Sequence, residues 1–373
     1  MKVRLKELGE IITGNTPSKK IKEFWNSEDI YFIKPDIIED SGVNEISETK
    51  EYISEEARKK ARIVTKKSIF VTCIGSIGKI GIASAGEYAF NQQINAIVPN
   101  EKVQSKYLAY NLLYNKPRLV AMANAPVVPI INKRQFGEFI VNIETDIGRQ
   151  VKIVNVLDRL THIIRLSKQE LEKLDELIKA RFVEMFGDSA SNEKGWKMNT
   201  FGDICTVRQG LQIPISKRLT EYEEDSYEYI TVQYLHGGKE KEYIKSPKES
   251  VKCTKDDILM TRTGNTGMVV TNVEGVFHNN FFLIDFDRER FEKDFLVEYL
   301  NLDLIQADIT RRAGTSTIPD LNHGEFYKIK VFEPPIDLQK EFDEFKMQVD
   351  KSKLMFQKLH QKLNILRQKA GNI

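Results

Sequence analysis

The chain is written twice, and each copy is as long as a domain. Leu8-Gly9-Glu10-Ile11 returns as Phe201-Gly202-Asp203-Ile204, offset by 193 residues. The run Ile69-Phe70-Val71-Thr72 with its Gly75-Ser76-Ile77-Gly78 loop returns as Ile258-Leu259-Met260-Thr261 with Gly264-Asn265-Thr266-Gly267, offset by 189. Phe90-Asn91-Gln92-Gln93-Ile94 returns as Phe277-His278-Asn279-Asn280-Phe281, and Tyr107-Leu108 as Phe295-Leu296, at 187 and 188. Pro129-Ile130-Ile131-Asn132 matches Pro319-Asp320-Leu321-Asn322 at 190, and Gln150 matches Gln339 at 189. Landmarks in one order at a nearly constant offset define a tandem of two similar units. The period far exceeds that of a solenoid, so each copy is a whole domain with its tail.

Both copies have the same internal order. Short strand-like runs such as Tyr31-Phe32-Ile33 and Tyr229-Ile230-Thr231-Val232 are punctuated by turn residues, and a long helix follows. The expected class is α/β (α+β): two similar globular domains separated by a long antiparallel two-helix coiled coil, a pseudo-two-fold internal repeat. The expected boundaries are 1–147 for the first domain, 148–186 for the first long helix, 187–335 for the second domain (187–197 as linker) and 336–373 for the second long helix.

The helices are read from their apolar stripes. Ile153, Leu157, Leu160, Ile164, Leu171, Leu174 and Ile178 step by four and three, broken once at Ser167. Phe342, Phe345, Val349, Phe356, Leu359, Leu363 and Leu366 do the same, broken at Ser352. At about 1.5 Å per residue the first stripe spans roughly 38 Å. Neither stripe is left in water, and the simplest solution packs the two helices together within the chain. Packing of each helix on its own domain, or coiled-coil pairing between copies, are the alternatives.

Composition narrows the class. Hydrophobic residues make up 41% of the chain, enough for real cores, while charged residues of both signs make up 29% with a formal net charge of +2. A nucleic-acid partner therefore requires positive charge gathered on one face. Cys73, Cys205 and Cys253 are far apart and form no Cys-x-x-Cys pair, which favours buried thiols over disulfides or a zinc site. The scattered histidines have no metal-ligand spacing, so no metal is expected. The start lacks the apolar core of a signal peptide, and no run approaches the roughly 20 apolar residues that span a bilayer, so a cytoplasmic location away from membranes is expected.

Several segments carry chemistry suited to nucleic acid, each with a structural alternative. The glycine loops, with Ser76 and Lys79 in the first copy and Arg262 and Asn265 in the second, suit phosphates or are hairpin turns. Asn91, Gln92 and their counterpart Asn279 carry amides suited to adenine edges, or tie loops to the backbone. Lys133 and Arg134, and Arg311 and Arg312 with Thr315 and Ser316, offer cations and hydroxyls to phosphates, or are exposed basic turns. Lys19, Lys20 and Lys22, and Arg208 with Gln209, are further DNA-contact candidates. In the first copy Ala125-Pro126-Val127-Val128 stands where the second has Gly-Thr-Ser-Thr, which argues against a shared polar contact there. No P-loop, methyltransferase base-pocket motif or nuclease cluster is present; Glu333-Pro334-Pro335-Ile336 lacks the terminal aromatic of such a pocket.

A doubled unit carrying Gly75-Ser76-Ile77-Gly78-Lys79, then Asn91-Gln92-Gln93, then a Gln-led long helix resembles the specificity subunits of type I restriction-modification systems, over essentially the whole chain. The resemblance implies two target-recognition domains, each reading one half of a split double-stranded DNA sequence. It implies a helix pair that sets the spacer and docks modification subunits, together with a separate restriction subunit. It also implies no catalytic residue and no cofactor in this chain, S-adenosylmethionine, ATP and Mg²⁺ belonging to the partners. A coiled-coil adaptor without DNA readout is the alternative.

Overall fold

The computed structural model describes residues 1–123, 128–235, 237, 240–314 and 319–371. The chain divides into two compact units, Met1–Glu170 with Phe356–Ile373, and Leu171–Met355.

The first unit is built on a five-stranded sheet ordered Gly9–Thr13, Ile94–Pro99, Ile69–Thr72, Ile80–Ala83, Val43–Ile46. A four-stranded sheet, ordered Tyr52–Ile53, Ile30–Ile33, Glu87–Phe90, Ile63–Thr65, completes it. The second unit repeats this plan. Its larger sheet runs Cys205–Gln209, Phe281–Phe286, Ile258–Thr261, Val269–Val270, and its smaller one Tyr243–Lys245, Ser226–Ile230, Gly275–Phe277, Lys252–Cys253. In both smaller sheets the second and third strands pair parallel, with Tyr31 opposite Tyr88 and Tyr229 opposite Val276. The units differ at the edge of the larger sheet: Val43–Ile46 pairs parallel with Ile80–Ala83 in the first, and among the described residues the second has no such strand.

Local sequence explains the central strands. Ile69–Thr72 and Ile258–Thr261 are buried at every position, so they read as continuous apolar runs rather than alternating ones. Each carries one buried hydroxyl, Thr72 or Thr261, which accepts a hydrogen bond from the backbone N–H of Lys79 or Met268 at 3.0 and 2.9 Å. The three cysteines are buried and reduced, and desolvation pushes each thiol up to about 12, leaving them inert as nucleophiles.

The first long helix spans Ile147–Phe186 and the second Ile336–Gly371. Their stripes do not serve helix pairing alone. Leu157, with Ile153 beside it, packs into the core of the first unit around Tyr107, Leu108 and Val141. Ile178, Phe182, Met185 and Phe186 pack into the core of the second unit with Phe342 and Val349. There Phe182, Phe186, Phe295 and Phe342 meet with ring centroids 4.8 to 5.6 Å apart, each ring contributing about 1.5–3 kcal/mol by its burial. Within the second unit, Asp175 meets Lys353 and Arg181 meets Glu341, at 2.6 and 3.1 Å, so the helices run antiparallel there.

Leu359 and Leu366, assigned to the stripe from their spacing, are 41% and 52% exposed. Leu363 stays buried, and the half-buried positions beside it are His360, Asn364 and Arg367. A straight helix drifts by about 20° per heptad from a strict 3.5-residue repeat, so several heptads move the inward face off a seven-residue stripe.

Candidate nucleic-acid interface

In each unit the repeated landmarks converge on one end of the larger sheet. Thr72 stands opposite Ile94 and Thr13 opposite Asn95 in the first unit. Thr261 stands opposite Phe281 and Gln209 opposite Phe282 in the second. Beyond these strand ends the same backbone bonds recur. Cys73 donates to the Gln93 carbonyl and Arg262 to that of Asn280, both at 2.7 Å. Ile131 donates to Cys73 and Leu321 to Arg262, at 2.8 and 2.9 Å. Gly78 and Gly267 each close a turn on the buried threonine carbonyl at 2.9 Å.

At this sheet end the fit is tight at a matched glycine in each unit. A Cβ on Gly14 would lie 2.2 Å from the Asn91 carbonyl oxygen, and one on Gly210 would lie 2.3 Å from that of His278. Only glycine lets the strand pass under the amide-bearing turn. Gly14 and Gly210 are thus a further pair of matching positions, which sequence reading missed because single glycines carry little signal.

The amide turns are primarily structural. Asn91 is nearly buried; its Oδ1 accepts the Gln93 N–H at 3.1 Å and its Nδ2 donates to Gln93 Oε1 at 2.9 Å. His278 plays the same part with its ring, Nδ1 accepting the Asn280 N–H at 3.1 Å, and burial lowers its pKa, keeping it neutral. Gln92 is exposed and accepts from Thr16 Oγ1 at 2.9 Å.

The sheet end of the first unit therefore gathers Ser76, Lys79, Asn91 and Gln92, adjoined by Lys133 and Arg134, exposed in the first turn of the helix Lys133–Glu138. Ser76 is exposed at the loop tip, while Lys79 Nζ donates to the Pro35 carbonyl at 3.2 Å. That of the second unit gathers Arg208, Gln209, Arg262, Asn265 and Asn279. Gln209 reaches the Asn279 carbonyl at 3.5 Å, and Asn265 is exposed. Arg262 is held by Asp320 through two hydrogen bonds of 3.0 and 2.8 Å, so its charge is matched within the chain. Buried polar atoms lack a protein partner at this end: Arg208 Nε, Asn279 Oδ1 and His323 Nε2. His323 was not singled out from sequence.

The other candidates lie elsewhere. Lys19 pairs with Glu51 at 3.1 Å and sits 5.0 Å from the Trp25 ring, beside the smaller sheet, with Lys20 and Lys22 exposed nearby. Arg311 and Arg312 close the helix Asp303–Ala313, where both bind Asp308, and Arg312 also meets Glu325 at 3.3 Å. Thr315 and Ser316, and the first-copy segment Ala125-Pro126-Val127, lie outside the described residues. Gln150 and Gln339, fully buried, begin the helices as structural locks. Gln150 Oε1 accepts from Gln104 N at 2.7 Å, and Gln339 Oε1 from Glu292 N at 2.9 Å. Glu333 is clamped by Arg290 at 2.8 Å and bonded by Asn199 at 2.9 Å, which holds its carboxyl down at about 2. No described helix is long and apolar enough to cross a membrane, and no described group of three His, Cys, Asp or Glu residues is placed to hold a metal ion.

The model of the type I restriction modification DNA specificity domain matches residues 1–176 and again residues 193–365. The chain belongs to this family. Among relatives, it is 29% identical to the type I restriction enzyme MjaIX specificity subunit of Methanocaldococcus jannaschii, over 63% of this chain and 58% of that one. To the EcoprrI specificity subunit of Escherichia coli it is 22% identical, over 90% and 84%. The match to the HindI specificity subunit of Haemophilus influenzae, at 34% identity, covers 29% of this chain and 23% of the relative. The chain thus spans well under two thirds of some curated relatives and most of another. The fold is that of the type I system S subunit from M. genitalium, with a TM-score of 0.60 at 16% identity over 100% of this chain and 95% of that one. Each long helix of this specificity-family chain begins inside one of the two matched segments.

Proposed function

We propose that each domain reads one half of a split double-stranded DNA sequence for a type I restriction-modification complex. The carrying observation is a common frame with divergent contents. The two sheet ends share their hydrogen bonds, yet hold different residues at matched places: buried Cys73 against Arg262, Lys79 against Met268, and exposed Gln92 against Asn279. A shared frame holding different side chains suits two readers of different half-sites, and so an asymmetric target. Backbone phosphates fall to the cations, with Lys133 and Arg134 best exposed, and base edges to the side chains that differ.

The helices set the unread spacer and dock modification subunits. Supporting this, Val156, Ile163 and Leu166 on the first helix and Leu354, Met355 and Leu359 on the second are all more than 40% exposed, an apolar load unusual for helices facing water alone. The chain supplies the address and no catalytic residue. The modification subunits bring S-adenosylmethionine, and the restriction subunit brings ATP- and Mg²⁺-dependent chemistry. The complex works in the cytoplasm.

The test is a chimera. Residues 1–145 are replaced by the first domain of another family member, and methylated bases are mapped in a host expressing the complex. One half-site changes and the other stays. A simultaneous change of both half-sites overturns the modular reading.

A further inference from the structure

In each domain one turn leaves the sheet end at the glycine that passes under the amide turn. The next residue donates to the end of the matching strand, Asn15 to the Phe90 carbonyl at 2.9 Å and Leu211 to that of Phe277 at 3.1 Å. The chain then turns over residues 18–21 in the first domain, where Ile21 donates to the Ser18 carbonyl at 3.2 Å. In the second it turns over residues 215–218, where Arg218 donates to the Ile215 carbonyl at 3.1 Å. These turns match at an offset of 197, which also carries Pro17 onto Pro214 and Lys20 onto Lys217. A cation next to the lysine pins each turn. Lys19 meets Glu51 at 3.1 Å and lies 5.0 Å from the Trp25 ring centroid. Arg218 meets Glu242 at 2.9 Å and lies 5.0 Å from the Tyr229 ring centroid. The two glutamates are counterparts, since their carbonyls accept from the N–H of Phe32 and of Tyr229 at 2.9 and 2.8 Å.

Little else in these turns repeats. Ser18, Lys19, Ile21 and Lys22 stand against Ile215, Ser216, Arg218 and Leu219. The repeated proline has a local reason, since its fixed φ sets the entry to the turn. The repeated lysine has none within the chain. Lys20 and Lys217 are both exposed, and among the described residues neither has an ion-pair partner. Exposed loop positions vary most readily, so a matched one points to something outside the chain that holds it.

We infer that Lys20 and Lys217 are equivalent phosphate contacts, one in each domain, through which both domains grip the DNA backbone alike whatever bases they read. The inference rests on the DNA reading proposed above. Two half-sites differ in their base edges but present the same phosphates. A residue that reads bases therefore differs between the domains, and one that grips the backbone recurs. Lysine suits the task, because its ammonium is a compact point charge that meets a phosphate oxygen without demanding one geometry. The pinned cation beside it holds the turn in place, so less freedom is lost on binding. Lys133 and Arg134 differ in kind: His323 and Gly324 stand at their matched places, so their contribution belongs to the first domain alone.

The test measures binding of the assembled complex to two duplexes over a range of salt, one carrying the target mapped by methylation and one of scrambled sequence. Lys20→Ala and Lys217→Ala are each expected to reduce the slope of log affinity against log salt by about one on both duplexes, and the double variant by about two. The methylated bases stay those of the parent, since neither lysine reads a base. The control is Lys102→Ala, an exposed lysine beyond the opposite end of the larger sheet, where Pro99 pairs with Gly9; it keeps the parental slope. Parental slopes in Lys20→Ala and Lys217→Ala overturn the grip, as does a loss in only one of them or a change in the methylated bases. An equal loss in Lys102→Ala reduces the effect to bulk charge and also overturns it. A parent that binds both duplexes equally defeats the half-site reading instead, while slope losses in the two variants would still place these lysines on phosphate.

Discussion

Lys346 Nζ lies 3.0 Å from Asp294 Oδ1, and 188 positions earlier the same two places hold the opposite charges, with Lys106 2.9 Å from Asp158. Each pair joins a short helix of a domain to the long helix that follows it, and the sign is reversed between copies. The second pair is the more buried and more crowded. The Lys346 side chain is 12% exposed and also faces Glu298 and Asp350, at 3.8 and 3.7 Å. Removing it strands carboxylates in a dry site. Lys346→Ala is expected to cost about 3 kcal/mol and Lys106→Ala about 1 kcal/mol. Denaturant unfolding of the full chain would refute this ordering if Lys106 proved the costlier loss.

The same site makes stability depend on pH. Burial, followed by the charges of Asp294 and Glu292, pushes the Asp343 carboxyl up to about 7, against Lys346 and Lys293, and Asp343 Oδ1 has no partner. Burial also raises Glu298. The folded state holds the Asp343 proton more tightly than the unfolded chain does. Its contribution is therefore complete below the unfolded value of 3.8 and is lost as pH rises through about 7. Melting curves from about pH 5 to about pH 8 should show Asp343→Asn gaining on the parent as pH rises; a constant gap would show that Asp343 does not titrate there.

The glutamine locks should be costly to remove despite carrying no charge. Gln150 bridges the carbonyls of Lys102 and Glu144 and the N–H of Gln104, and Gln339 does the same with Arg290, Pro334 and Glu292. Substitution by alanine leaves those buried backbone groups open, at about 2 kcal/mol per site. Gln150→Glu should also destabilise, because a carboxylate cannot donate to either carbonyl. Calorimetry on the two alanine variants should give similar losses.

Cations at the two sheet ends should separate by what they hold. In the assembled complex, Ala at Lys133 or Arg134 should weaken DNA binding across sequences and reduce the salt slope by roughly one for each phosphate left unneutralised. Arg262→Ala should instead lower the melting temperature, because it breaks the bidentate hold on Asp320. Equal salt slopes for the parent and the Lys133 and Arg134 variants would remove those residues from the interface.

The repeat, the mixed α/β class and the two long helices were all legible in the sequence, because they rest on local periodicity and on landmarks that recur at matched spacing. The Arg262–Asp320 pair was not: the partners lie 58 residues apart and meet only because the turn after Ile258–Thr261 bridges the segment that leads into the helix His323–Tyr327. Leu359 and Leu366 misled because a seven-residue stripe ignores the drift of a straight helix. The open atoms of Arg208, Asn279 and His323 are a property of packing, which no spacing rule describes.

The helix Ile147–Phe186 begins in one compact unit and ends in the core of the other, and the second helix begins in that other unit and ends within the first. A fragment halted after Phe186 would carry Phe182, Met185 and Phe186 into water with nothing to cover them. The second unit's core is thus completed by a helix that starts in the first, so its stability depends on chain supplied from outside its own globular segment.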